Sequence, residues 1–395
     1  MNSIQLPSDV LKLIFSNFAD PIYQEELVTN PPGHWILYNC MLVNKVWSEV
    51  AVQFLWQQPF KITYSGPCYK VLDLLLPWAI FEKRIREMGK HSIDASKQKQ
   101  EQRRPLLHRY FSFSRKKKQQ EMQILPNHMF NYSSFIRKLE FNRMIAVICC
   151  WSEKTLPNDL KTSKESIILC VRLLFELFLN SGVRLESLYI NSSGFFPFDT
   201  VRDKRVNISS YLHLLLDSHS IPLLENIRKL WLKTKSNDEE NSIAELQNIC
   251  KNVEFMNLDN LADSYLYRNY HATIERFVGL IGSQKRLVSL TVSYCSASKI
   301  NDILKIHSTT LRRIKFISCD FLNCQELDGL ASCINLEKME FYCCTNLNAE
   351  MLQPVFSADY KKLRLVILLF SSPDYICEEF RAWATVINET GRLMD

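Results

Sequence analysis

The chain has 395 residues, 47% of them hydrophobic, with only 9 glycines and a net charge of +6. Such a length and apolar content suffice for a large core spread over two or three domains. Scarce glycine, with no GxGxxG or GxxxxGK[ST] pattern, disfavours the nucleotide folds built on glycine-rich phosphate loops.

The most apolar run, residues 166–179, is shorter than the ~20 residues that cross a bilayer. It carries Arg172 and Glu176 one helical turn apart, so a buried helix with one wet edge is expected and no membrane partner. The N-terminus lacks the basic n-region and small-residue cleavage site of a secretory signal. Thirteen cysteines, an odd number with no CxxC spacing, predict reduced thiols in a cytoplasmic or nuclear protein rather than disulfides or a zinc site.

The first element predicted along the chain is a helix over residues 6–18. Pro7 suits a first turn, and Ser8 and Asp9 place oxygens near its free amides and positive dipole end. Val10, Leu11, Ile14, Phe15 and Phe18 then recur at helical spacing and form an apolar stripe. After a polar loop containing NPPG (residues 30–33), a second periodic stretch runs over 37–59. It carries Val43, Val46, Trp47, Val50 and Phe54 on one face and a Lys45–Glu49 pair on another, and ends at Pro59. Helices this short cannot bury stripes this wide among themselves, and an apolar stripe left open marks a partner surface. The plainer alternative is packing against the rest of the chain.

The Leu6-Pro7 start, Val10-Leu11, Ile14-Phe15, Cys40, Val43, Lys45-x-Trp47 and Leu55-Trp56 together resemble an F-box. The loop at 19–36 is longer than in many F-boxes. The resemblance implies a small three-helix module over residues 1–59 that docks on the Skp adaptor and, through it, on a cullin ligase. It carries Leu6, Pro7, Val10, Ile14, Phe15, Val43 and Trp47 over as adaptor contacts, a helix-in-groove form of recognition.

Residues 60–134 form a linker or irregular segment. FKITY (60–64) alternates weakly as a strand would, and 71–85 is helical in pattern but interrupted by Pro77. Between Glu82 and Lys118, thirteen Lys or Arg stand against four acidic residues, a surplus that exceeds the net charge of the whole chain. Residues 90–123 are too polar to bury enough surface to offset chain entropy, so a basic, solvated insertion is expected there. RKKK (115–118) fits a nuclear signal or nucleic-acid contact as well as a linker. Without a platform of ordered aromatics, nucleic acid is not the expected partner.

From residue 135 a pattern L-x-x-L-x-L-x-x-C returns. It is clearest at 287–295, 311–319 and 336–344, with starts 24 and 25 residues apart, and weaker copies begin at 136, 185, 227, 250 and 363. This period resembles the leucine-rich repeat. Alternating strand positions put Leu290 and Val292 inward and Thr291 and Ser293 outward, and no single copy buries its apolar face, so copies must stack. The expected fold class is therefore α/β: an F-box followed over 135–395 by a solenoid of parallel strands backed by helices. Cys295, Cys319 and Cys344 occupy the repeat's Asn/Cys position as structural thiols. Residues 191–205 are expected to be an inserted loop, and 376–389 a closing amphipathic helix with Phe380, Trp383 and Ile387 inward.

The outward strand positions would form a concave binding face containing Tyr189, Lys229, Trp231, Lys233, Glu254, Thr291, Arg313, Lys315, Lys338, Glu340 and Tyr342. Its mildly basic character points to an acidic or phosphorylated target protein. No GxSxG, HExxH or kinase-like set is present, the eight histidines lack ligand spacing, and neither catalysis nor a cofactor or metal is expected. The expected function is the substrate-recognition subunit of an SCF-type ubiquitin ligase. A non-catalytic repeat scaffold, or a nucleic-acid-associated protein using the basic segment, is the alternative.

Overall fold

The computed structural model describes residues 6–19, 32–60, 70–75, 131–156, 164–191, 209–234, 240–260, 270–369 and 378–392. Residues 61–64 of the expected strand at 60–64, the basic insertion at 90–123 and nearly all of the expected loop at 191–205 lie outside them. Two compact units result: Met1–Phe135 with Val147–Gly182, and Ile136–Ala146 with Val183–Asp395.

The first unit contains α1 (Ser8–Ala19), α2 (Pro32–Met41), α3 (Lys45–Leu55), α4 (Lys70–Leu75), the later part of α5 (Phe141–Thr155) and α6 (Lys164–Asn180). Leu11 and Phe15 of α1, Leu37 and Cys40 of α2, and Val50, Ala51 and Leu55 of α3 make one core. The Phe15 ring stands edge-on to Trp47 at 5.6 Å and to Phe54 at 6.3 Å. The periodic stretch at 37–59 holds the end of α2 and the whole of α3. Asn44 is extended and its side-chain oxygen accepts from the Trp47 amide at 3.0 Å, so a cap restarts the helix where periodicity alone runs on.

Residues 147–182, assigned to the repeats by sequence, belong to this first unit instead. Among the described residues they carry helices and no strand. Trp151 donates to Asp73 at 2.9 Å, and Trp56 stacks on Tyr132 at 4.5 Å. In α6, Ile167, Cys170, Val171, Leu174, Phe175 and Phe178 are buried while Arg172 and Glu176 are half-buried, the one wet edge expected.

The second unit is one parallel sheet of eight strands in chain order: β1 (Lys138–Glu140), β2 (Ser187–Asn191), β3 (Lys229–Thr234), β4 (Phe255–Asn260), β5 (Ser289–Ser293), β6 (Arg313–Ile317), β7 (Lys338–Tyr342) and β8 (Leu365–Leu369). Parallel neighbours require crossovers. Here they include α7 (Ser209–Leu215), α8 (Ile221–Leu224), α9 (Glu240–Ile249), α10 (Tyr270–Gly282), α11 (Ser298–Leu304), α12 (Asp328–Ala331) and α13 (Ala349–Ser357). The result is a solenoid-like α/β arrangement. Leu139, Leu188, Leu230, Met256, Leu290, Ile314, Met339 and Val366 stand in register across the whole sheet and are all buried.

That register corrects one copy. The fourth begins at Val253, so that Val253, Met256 and Leu258 take the inward positions, and not at Cys250. Cys250 closes the preceding helix, its thiol donating to the Leu224 carbonyl at 3.8 Å. Val253-x-Phe255 also satisfies an L-x-L pattern, and that ambiguity produces the three-residue slip.

The repeated cysteines lie where each strand ends. Tyr294, Ser318 and Cys343 have φ of 54°, 49° and 51°, a left-handed residue that turns the chain out of β5, β6 and β7. The next residue in each case, Cys295, Cys319 or Cys344, is buried. The Cys319 thiol donates to the Val292 carbonyl at 3.3 Å and the Cys344 thiol to that of Phe316 at 3.6 Å. Burial pushes the Cys319 thiol well up, as suits a small interior side chain rather than a nucleophile.

A second ladder crosses the helix ends. Gln284 donates to the Cys250 carbonyl at 2.9 Å, the buried His307 Nε2–H to that of Ile281 at 3.0 Å, the Cys333 thiol to that of Leu304 at 3.6 Å, and Tyr360 to that of Leu330 at 3.1 Å. Burial lowers the His307 pKa, and the carbonyl only partly offsets this. The unfolded imidazole, with a pKa of about 6.5, therefore takes up a proton before the folded one does. Stability is expected to fall as pH drops through about 6.5 and to level off once the folded imidazole also protonates. Urea unfolding from pH 8 to 5 checks this: His307→Gln, which keeps a donor, should show a shallower decline than the wild type. Equal slopes would reject the assignment.

The last helix, α14 (Glu378–Arg392), closes the sheet. Phe380 is buried against Phe341 at 5.3 Å and against Trp383 at 5.8 Å, with Ile387 half-buried, as the amphipathic spacing predicts. Asn388 accepts from the Val366 amide at 2.7 Å and donates to its carbonyl at 2.8 Å. One side-chain amide thus stands in for a neighbouring strand at the sheet edge. Asn388→Ala should lower stability by about 1–3 kcal/mol through two deprived backbone groups, read as a fall in the urea midpoint.

Candidate interaction surfaces

The first surface lies on α1 and at the junction of α2 and α3. Leu6, Val10, Leu13 and Ile14 recur at helical spacing and are exposed, Leu13 to 70%. Tyr38 and Leu42, four residues apart, and then Val43 are exposed as well, Leu42 to 71%. Scattered apolar residues on a surface need no explanation, but seven within two short segments do. The helices are not short of a core. Leu11 and Phe15 fill it from the adjacent face of α1, so the open residues are surplus to the module's own folding.

Of the residues expected at the adaptor, Leu6, Pro7, Val10, Ile14 and Val43 are exposed. Trp47 is half-buried against the core. Phe15 is 1% exposed and faces Trp47 and Phe54, so its side chain is an internal support and not a contact. Leu13, Tyr38 and Leu42 are exposed beside these residues, and the sequence reading does not single them out. The Tyr38–Leu42 spacing is available in the sequence. Leu13 is not separable, because the apolar arc of α1 is wide.

The second surface is the outward face of the sheet. Tyr189, Trp231 and Asn257 are consecutive in one register row and Lys229 and Phe255 in the next, with the Lys229 ammonium 5.5 Å from the Phe255 ring centre. Lys233 pairs with Asp259 at 3.2 Å. Burial, then Glu140, pushes the Tyr189 phenol up. Glu254 is not on this face. It precedes β4, its backbone oxygen accepts from Val288 and Ser289, and Asn257 and Asp259 take the positions assigned to it.

Thr291 is half-buried and Arg313 exposed. The Lys315 ammonium sits 4.3 Å from the Tyr342 ring centre, Lys338 pairs with Glu340 at 3.2 Å, and the Tyr342 hydroxyl donates to Glu340 at 2.9 Å. Burial and this carboxylate push the Tyr342 phenol up to about 12, so it stays a donor. The face is less basic than its lysines alone suggest, because Lys233 and Lys338 each have an acidic partner. Sequence reasoning also missed the outward positions of β8, Leu365, Ile367 and Leu369, since a strand apolar on both faces offers no alternation to read.

Among the described residues no three His, Cys, Asp or Glu side chains are grouped to hold a metal ion, and no helix is long and apolar enough to cross a membrane. Compared with family models, with curated proteins and with solved structures, the chain matches none.

Proposed function

We propose that the chain is a non-catalytic substrate receptor of an SCF-type ubiquitin ligase, with the first three helices acting as an F-box and the sheet unit as a leucine-rich-repeat solenoid that holds a target protein. The observation that carries this reading is the open apolar stripe on helices whose own core is already complete. It accompanies the F-box-like order of Leu6, Pro7, Ile14, Val43 and Trp47 in the sequence. Eight parallel strands in chain order, with a Cys ladder at the exits of β5, β6 and β7, support the repeat assignment. Catalysis by such a complex is positioning: holding a target near a ubiquitin-loaded enzyme raises its effective concentration, and the receptor needs no reactive group of its own.

Coexpression with the Skp adaptor tests the reading. The wild-type chain should copurify with the adaptor, and Leu6→Ala/Pro7→Ala should weaken capture while preserving thermal stability. No capture by the wild type would reject the function.

A further inference from the structure

We propose that the outward face of β6–β8 is the seat for an extended peptide segment of the target that carries aliphatic side chains beside carboxylates. The inference builds on the receptor reading for its biological meaning.

β8 differs from the other seven strands in having only apolar outward residues: Leu365, Ile367 and Leu369. They lie two residues apart along the strand, the period at which an extended peptide presents alternate side chains. Leu365 and Leu369 are exposed, Leu369 to 56%. Nothing in the folding of the sheet calls for an apolar outer face here, because Val366 already supplies the inward row.

Beside this stripe the outward cations of β6 and β7, Arg313, Lys315 and Lys338, outnumber the one acid, Glu340, which is the register partner of Ile367. Lys338 is the register partner of Leu365 on β7. Lys315 belongs to β6 but leans over Tyr342, the register partner of Leu369, which brings its ammonium one strand closer to the stripe. Arg313 is exposed in the same row as Lys338. The one acidic outward residue on these strands, Glu340, is mostly buried and already holds Lys338 and the Tyr342 hydroxyl. With Lys338 held by Glu340, Arg313 and Lys315 leave a surplus of positive charge, which favours an acidic ligand.

The face, rather than the edge, is the proposed seat. Asn388 occupies the outer backbone groups of Val366, which interrupts strand pairing in the middle of this edge. Apolar contact would supply affinity, and the lysines register and sign.

The test is fluorescence anisotropy on the full chain with two labelled probes of about twelve residues, long enough to span the strand. One is composed of leucine, aspartate and glutamate, and the other has lysine in place of the acids. The acidic probe is expected to bind and the lysine probe not. Leu365→Asp/Leu369→Asp and Lys315→Glu/Lys338→Glu should each weaken the acidic probe by at least about tenfold, and the second variant should shift preference toward the lysine probe. Equal binding of both probes, no binding of either, or unchanged binding by both variants would overturn the proposal. So would concentration-dependent dimerisation abolished by Leu365→Asp/Leu369→Asp, since a second copy would then cover the stripe. Adaptor capture measured alongside separates the two readings. Probe binding without capture removes only the ligase function, and capture without probe binding removes only this seat.

Discussion

Aspartate at Ile14 and Val43 together is expected to abolish capture of the Skp adaptor while leaving the thermal midpoint of the chain nearly unchanged. Both side chains are exposed, so neither substitution removes core volume, and surface changes of this kind usually stay within about ±0.5 kcal/mol. At the docking face the same changes act twice. Each removes an aliphatic side chain whose full burial contributes about 1.5–3 kcal/mol. Each also places a carboxylate where a partner would have to desolvate it without a counter-charge. The combined loss should exceed about 100-fold in affinity. Phe15→Ala is the necessary contrast. It empties a site packed by Trp47 and Phe54 and should cost about 3–5 kcal/mol of stability, so any loss of capture follows from a damaged module. Pull-down and thermal unfolding on the same preparations distinguish the two. Undiminished capture by the aspartate variant would remove the stripe from the docking surface.

That contrast also marks what could be read from the sequence. Periodicity identifies α1 as amphipathic but cannot divide its wide apolar arc into an inner face, Leu11 and Phe15, and an outer one, Leu6, Val10 and Ile14. The division depends on where α2 and α3 lie, which is a tertiary fact. The sheet was most legible at β5–β7, where repeat length is constant and a cysteine marks each exit. It was least legible at β4, where two overlapping apolar patterns compete, and at β8, where both faces are apolar. The helices at 147–182 were assigned to the wrong unit because a long gap between strand copies looks the same whether it holds a degenerate repeat or an excursion. Asn388 had no signal at all. An asparagine near the end of an amphipathic helix is unremarkable until the edge of β8 is found beside it.

The most destabilising single methyl group in the sheet unit is expected at Gly329. This residue lies in α12, and a Cβ placed there would overlap the backbone carbonyl oxygen of Asn301. The oxygen has no easy retreat. Asn301 is buried in α11, and its amide donates to Ala297 at 2.9 Å. Its side chain accepts from the Leu330 amide at 3.1 Å and donates to the Glu326 carbonyl at 3.0 Å and to Asp328 at 3.1 Å. The contact therefore joins the crossover after β5 to the crossover after β6, and separating them breaks several hydrogen bonds together. Alanine's intrinsic advantage over glycine in a helix is only about 1 kcal/mol, whereas forced overpacking against backbone costs about 3 kcal/mol or more. Gly329→Ala should lower the urea midpoint accordingly. Since stacked repeats are held by nearest-neighbour contacts, hydrogen exchange should accelerate first around α11 and α12. Gly279→Ala supplies the control. The nearest atoms to its Cβ belong to the end of the Gln247 side chain, which can swing aside, so that variant should stay within about 1 kcal/mol of the wild type. Equal stability of the two variants would mean that α11 and α12 are not in the close approach that the Gly329–Asn301 contact requires.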